Sequence, residues 1–223
     1  MLILAFDCSG PACSVAVWRD GRWSAFGAGP ELPVHVLAMS GSTLYAGGGL
    51  SPASGTAQTA VYQWNGQTWT QIYANGGGPL EALVLYQGRP HIADANAVLA
   101  WDGSTWQPLR EDDGATHIIP LDLVTHRSQL YVSGYFSSVT ADVPATRRAR
   151  WDGSQWLPFW TEQPQRKTFR KLASDGNALV DIDSDGLIAS PRPTLHSVAV
   201  NANAANGVSS TPVIARNGVR LAF

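Results

Sequence analysis

Charge is scarce in this chain of 223 residues: Asp, Glu, Lys and Arg together make up 14%, where soluble domains carry about a quarter. The net charge of −2 gives no global attraction for nucleic acid or for an anionic membrane. Cysteine is scarcer still. Cys8 and Cys13 alone exclude a disulfide framework and leave either one bridge across the first hairpin or two buried thiols. No apolar run approaches eighteen residues, so no membrane-crossing helix is expected. The apolar opening Met1–Phe6 lacks basic residues and meets Asp7, too short and uncharged for a signal peptide. The five histidines, His35, His91, His117, His126 and His196, fall in separate segments without metal spacing. No serine elbow, phosphate loop or cysteine cluster appears, so the residues assemble no catalytic constellation. Helical periodicity is hard to find anywhere.

Turn-formers and tryptophan are plentiful: 22 Gly, 14 Pro and 9 Trp. Eight of the tryptophans stand in pairs five apart, in Trp18-Arg19-Asp20-Gly21-Arg22-Trp23, Trp64-Asn65-Gly66-Gln67-Thr68-Trp69, Trp101-Asp102-Gly103-Ser104-Thr105-Trp106 and Trp151-Asp152-Gly153-Ser154-Gln155-Trp156. Asp-Gly and Asn-Gly accept the positive φ of a two-residue type I′ turn, so each copy reads as a tight hairpin. With Asn65-Gly66 as the loop, Tyr62 faces Trp69; the same count pairs Leu99 with Trp106 and Ala149 with Trp156. In the first copy the turn is Asp20-Gly21, and Trp18 faces Trp23. The tryptophans are expected to be packing residues; one left exposed at a rim would be the exception.

A second strand-turn-strand element precedes each later hairpin. It begins at Val34, near Leu80, near Pro120 and near Phe169, at intervals of 46, 40 and 49 residues. Four short strands in roughly 45 residues is the period of a radial array of blades. The expected architecture is therefore all-β, a single β-propeller domain over 1–223 with four-stranded blades at about 31–76, 77–112, 113–163 and 164–207. A fifth blade joins 1–30 to 208–223. Residues 213–223 align with Val36–Ala46, which makes them an inner pair and gives five blades closed through the hairpin at 12–27. They also align with Val17–Phe26, which makes them an outer hairpin and gives six. Closure removes exposed sheet edges, and five blades fit the spacing better.

Leu130-Tyr131-Val132-Ser133-Gly134-Tyr135-Phe136, followed after a loop by Arg150-Trp151-Asp152-Gly153-Ser154-Gln155-Trp156-Leu157-Pro158, resembles the repeat of bacterial and fungal surface propellers related to kelch and to the central domain of galactose oxidase. The resemblance covers about residues 12–184. It implies a recognition or structural module in an extracellular, cell-surface or virion setting, and it does not fix an activity. The copper ligands of the galactose-oxidase enzymes have no match here. A second resemblance is confined to Phe6–Val17, which is similar to the first hairpin of the actin-like tRNA threonylcarbamoyladenosine-modification partner protein. That resemblance would require helices and glycine-rich loops downstream.

Three patterns carry candidate chemistry. Asp181, Asp183 and Asp185 alternate before Gly186 and resemble the start of a calcium loop. The alternative is a strand whose Asp181 and Asp183 are solvated, ending in a Ser184-Asp185-Gly186 turn. Seven of the 15 basic residues lie between Arg147 and Lys171. Among them Arg147, Arg148 and Arg150 either meet an anionic partner or form a solvated blade edge. His35 and Glu81 hold equivalent positions in two inner strands, where both would face a central channel, as an acid–base pair or as solvated residues. The leading functional expectation is a non-catalytic module that recognises a carbohydrate or protein partner, with calcium as the one cofactor to consider. The alternatives are a structural part of a larger assembly, such as a virion tail or surface array, and a glycan-active enzyme, which would need two converging carboxylates.

Overall fold

In the computed structural model, residues 3–7, 14–30, 32–50, 58–75, 80–94, 97–109, 119–136, 138–140, 143–144, 147–158, 169–183, 186–189, 214–216 and 219–221 are described. The chain is all-β, with no helix among them. The first sheet contains β1 (Ile3–Asp7), β2 (Ser14–Arg19) and β3 (Arg22–Ala25). The second is a four-stranded antiparallel meander of β4 (Val34–Ser40), β5 (Thr43–Leu50), β6 (Gln58–Trp64) and β7 (Trp69–Asn75). The third repeats this plan with β8 (Ala82–Tyr86), β9 (Arg89–Asp94), β10 (Ala97–Trp101) and β11 (Trp106–Pro108).

In the fourth sheet, β12 (Ile119–His126) and β13 (Gln129–Tyr135) are followed by a separate small hairpin, β14 (Ser138–Thr140) and β15 (Val143–Pro144). The meander then resumes with β16 (Arg148–Trp151) and β17 (Trp156–Pro158). The fifth sheet contains β18 (Phe169–Ser174), β19 (Leu179–Asp183) and β20 (Gly186–Ala189). Finally, β21 (Ile214–Arg216) and β22 (Val219–Leu221) pair with each other. The first sheet is thus extended by β1, from the apolar opening. The expected pairing of the C-terminal strands with residues 12–27 is not among the described pairings. The helices that the actin-like resemblance implies are absent from the described residues.

Three tryptophan hairpins turn differently from expectation. Trp64 lies opposite Trp69, Trp101 opposite Trp106 and Trp151 opposite Trp156, so each loop has four residues. Tyr62 faces Gln71, Leu99 faces Pro108 and Ala149 faces Pro158, rather than the second tryptophans. The reason is the side chain at the loop's first position. Asn65 Oδ1 accepts the amide hydrogens of Gln67 and Thr68 at 2.9 and 2.8 Å, while the Asn65 amide donates to the Thr68 carbonyl. Asp102 and Asp152 repeat these bonds with Ser104 and Thr105, and with Ser154 and Gln155. Such Asx capping gives the backbone an alternative to the two-residue turn. Only the first copy takes the two-residue form, with φ of 53° at Asp20 and 79° at Gly21 and with Trp18 opposite Trp23.

All four pairs bring their indoles together, with centroids 5.2 to 5.5 Å apart, a spacing that favours tilted aromatic contact. The sheets follow one another in chain order: β1 lies against β4, β4 against β8, β8 against β12 and β12 against β18. Each interface has its own apolar core. Val15, Val34 and Leu44 with Trp64 and Trp69 fill the first. Tyr45, Val61 and Ile92 with Trp106 fill the second. Ala93, Leu123 and Leu130 with Trp151 and Trp156 fill the third, and Tyr131, Leu172 and Leu179 the fourth. The expectation of packing tryptophans holds for both members of the second and fourth pairs and for Trp106 of the third.

A register shift recurs near the start of the first strand in three sheets, between Val34 and Val36, Pro120 and Asp122, and Phe169 and Lys171. A bulge of this kind inserts one residue and re-aims those that follow. In the fourth sheet the facing residue is Gly134, where a Cβ would meet the Ile119 carbonyl. The close approach of β12 to β13 therefore requires glycine.

Candidate functional site

The re-aiming bulges bring charged residues together between inner strands. Asp122 and Lys171 each directly follow a bulge in neighbouring sheets, and Lys171 Nζ lies 3.7 Å from Asp122 Oδ1. Asp122 Oδ2 also accepts the Leu172 amide at 2.7 Å. Asp122 is 7% exposed, and burial pushes its carboxyl up to about 6 despite Lys171 and the amides of Leu172 and Leu123. Burial outweighs the ion pair because the lysine side chain is 53% exposed, and its attraction is screened by water. Glu81 is half-buried, and desolvation raises its carboxyl while Lys171 opposes the shift. Of the two residues read either as an acid–base pair or as solvated, His35 is exposed, and the cation acting on Glu81 is Lys171. Aligning the starts Pro120 and Phe169 sets Asp122 and Lys171 in the same third place, but no motif in the sequence pairs them.

Across the fourth sheet, Asp122 lies opposite Ser133 and Ser133 opposite Arg148, so the three share one face. Arg148 is 4% exposed, which corrects the solvated-edge reading for this one residue of the cluster. Arg150 is half-buried and donates to Gln129 Oε1 at 3.2 Å. Arg147 has φ of 61°, and its backbone is engaged: its amide donates to the Phe136 carbonyl and its carbonyl accepts the Gly134 amide. Arg148 and Arg150, two apart in β16, share one face of the sheet. Asp181 and Asp183 alternate in β19, with Asp183 opposite Gly186 across the next turn. Asp185, Cys8 and Cys13 lie outside the described residues.

Polar ties also join neighbouring sheets. Asp94 Oδ2 accepts the Tyr73 hydroxyl and the Asn75 amide group, both at 2.7 Å. Burial first, and then the Asp94 carboxylate, hold the Tyr73 hydroxyl well above its usual range. Asp94 Oδ1 and Ser133 Oγ are buried without a hydrogen-bond partner. The His126 ring meets Ser174 Oγ at 2.8 Å, and burial lowers its affinity for a proton. His91 is buried, its Nδ1 3.0 Å from the Arg89 carbonyl, and burial lowers it likewise. Among the described residues no three His, Cys, Asp or Glu side chains converge as a metal site.

The concave feature lies elsewhere, between the first and second sheets. A cleft of about 220 Å³ is bounded by Gly27–Pro30 on one side and by Tyr62, Trp64, Gln67, Thr68 and Trp69 on the other. The hairpin cap that sets Trp64 opposite Trp69 also lifts Gln67 and Thr68 to the rim. Trp69 Nε1 donates to the Phe26 carbonyl at 2.7 Å, which fixes one wall. Gly27, at φ +62°, lies under Trp64, whose Cζ3 would be 2.9 Å from an added Cβ. One wall is thus aromatic, and the rim is polar. The Asn-Gly motif was legible as a hairpin, but the cleft depends on the 27–30 segment, to which nothing in the sequence drew attention.

No family model and no curated protein matches the chain. Among solved structures, the chain is similar to the extracellular domain of BT4673 from B. thetaiotaomicron, in two crystals described as a one-component and a hybrid two-component system. The first is 15% identical at a TM-score of 0.55 over 86% of this chain and 25% of that one. The second is 14% identical at 0.54 over 94% and 28%. The chain spans about a quarter of those structures' length, and at this identity the likeness is one of fold.

Proposed function

We propose that this protein is a non-catalytic recognition module, built as a β-propeller of kelch-like repeats, which binds a carbohydrate partner at the Trp64–Trp69 cleft. The observation that carries this reading is the cleft itself: two indoles, that of Trp69 held by the Phe26 carbonyl, and Tyr62, with Gln67 and Thr68 at the rim. Ligand sites are commonly apolar and aromatic hollows with a few placed polar groups. At about 220 Å³ this one falls below the roughly 300 Å³ where drug-sized sites begin, and it suits a single ring-sized group at the end or branch of a larger partner. The charged residues give less support to catalysis, because Asp122 is engaged by Lys171 and the Leu172 amide. An extracellular, cell-surface or virion setting suits such a module, and the extracellular domain named above has a related fold. Calcium belongs to the same reading through Asp181, Asp183 and Asp185, of which the first two share a face of β19 by strand alternation.

The test is a glycan-array screen of the full chain in calcium and again in chelator, with the Gln67→Ala variant alongside. Selective binding weakened about tenfold by Gln67→Ala is expected, on the scale of one well-made polar contact. Loss in chelator assigns calcium to the Asp-rich turn. An array blank in both buffers removes the carbohydrate reading and favours a structural role in a larger assembly or a protein partner.

A further inference from the structure

The four-residue hairpin loops share a backbone plan but differ at their first residue, which is Asp102 in the third sheet, Asp152 in the fourth and Asn65 in the second. The difference reverses a hydrogen bond. A carboxylate only accepts, so Thr105 Oγ1 donates its hydrogen to Asp102 Oδ2 at 2.8 Å, and Ser104 Oγ donates to Oδ1 at 2.9 Å. Gln107 Nε2 donates to Thr105 Oγ1 at 2.8 Å. Ser154 Oγ likewise turns onto Asp152 Oδ1, at 3.0 Å. In the second sheet, Asn65 Oδ1 accepts the Gln67 and Thr68 amides, which fixes Nδ2 as the group facing Thr68 Oγ1. That nitrogen donates to the hydroxyl at 3.2 Å.

A hydroxyl has one hydrogen and two acceptor sites, so Thr68 keeps its hydrogen and one acceptor site, where its counterpart Thr105 has given up the hydrogen. The Gln67 side chain makes no hydrogen bond among the described residues, where its counterparts Ser104 and Ser154 are turned inward. Gln67 and Thr68 both border the Trp64–Trp69 cleft, and none of the residues lining it is charged. The loop that meets the cleft is thus the one whose cap is neutral and whose polar side chains are left open. Indole faces are electron-rich; they attract the C–H face of a sugar ring and disfavour an anion. A carboxylate brought there would give up water with no cation in its place.

We propose that Asn65 is a specificity-determining residue of the cleft, which selects an uncharged pyranose over an acidic sugar. Asn65 acts through Thr68: by donating to Oγ1 it leaves the hydroxyl hydrogen for a sugar oxygen, beside the donor and acceptor of the Gln67 amide. Aspartate at this position would recapture that hydrogen, as Asp102 does from Thr105, and would set a negative charge at the rim. The proposal rests on the carbohydrate reading of the cleft and narrows it to one class of ligand.

The test is an NMR titration at pH 7, following the indole signals of Trp64 and Trp69 in the full chain. The probes are the methyl glycosides of glucose, galactose and mannose, each beside its uronic acid. At least one neutral glycoside is expected to shift both signals and to bind at least about tenfold more tightly than its acid. Asn65→Asp is expected to weaken that glycoside about tenfold, the scale of one hydrogen bond, with an unchanged melting midpoint. Thr68→Val should lose as much and Thr68→Ser should retain the affinity, which separates the hydroxyl from any effect on folding. A uronic acid that binds as tightly as its neutral partner overturns the proposal and leaves the carbohydrate reading standing, as does an affinity unmoved by Asn65→Asp and Thr68→Val. Silence from all six probes overturns the proposal, and a blank glycan array alongside overturns the carbohydrate reading with it.

Discussion

At the scale of single residues, burial and not pairing decides the state of the inner charges. Asp122 keeps an ion pair and a backbone bond, yet its carboxyl is pushed up to about 6, above the roughly 3.9 of an unfolded aspartate. The native state therefore holds the proton more tightly. Stability from this group is fully present below about pH 4 and is lost as pH rises through about 6, by up to about 3 kcal/mol. Asp122→Asn cannot titrate, so wild type is expected to lose ground to this variant between pH 4 and pH 7 in urea unfolding midpoints. A difference that stays constant across this range would remove the assignment. Arg148 shows the same limit of residue-level reading. Arginines are rarely buried without partners, so nothing in the Arg147–Lys171 run marked one of them as interior. Its position opposite Ser133 in the ladder put it there.

At the scale of the element, the hairpin loop shows how a correct motif can carry the wrong register. Asn65, Asp102 and Asp152 each cap two amides, and these bonds make a four-residue loop that stacks the tryptophans directly. Amide and hydroxyl bonds hold the exposed Asp102 carboxyl well below its usual range and bring that of Asp152 down to about 2. Asn65→Ala is expected to destabilise the protein by about 1 kcal/mol, the typical worth of such a cap. Asn65→Asp should be nearly neutral, since aspartate fills this place in two sister loops. Thermal or urea melts of the two variants check the pair, and equal losses would show that the side-chain oxygen is not what matters. The Asp-Gly and Asn-Gly dipeptides were legible as turns. The choice between two and four residues was not, because it depends on a competition between backbone and side-chain acceptors that differ by a fraction of a kcal/mol.

At the scale of the whole molecule, successive sheets are joined by packing and by a few repeated polar ties. Trp106→Phe keeps an aromatic ring at the interface but removes the bond to the Ile72 carbonyl. A loss of about 1 to 2 kcal/mol is expected in urea unfolding, with a single cooperative transition retained. An unchanged midpoint would show the tie to be incidental. The sequence by itself determined the all-β class, the repeat of about 45 residues and the place of each tryptophan hairpin, because alternation, turn residues and spacing are local and each repeat restates them. It also matched one hairpin at each end. Only the tertiary structure decided that Lys171, not His35, acts on Glu81, that Arg148 is interior, and that a cleft opens between residues 27–30 and the Trp64–Trp69 hairpin. Those outcomes arise where two sheets meet. The bulge at the start of an inner strand and the angle between neighbours fix which side chains touch, and neither is written in the spacing of any one repeat.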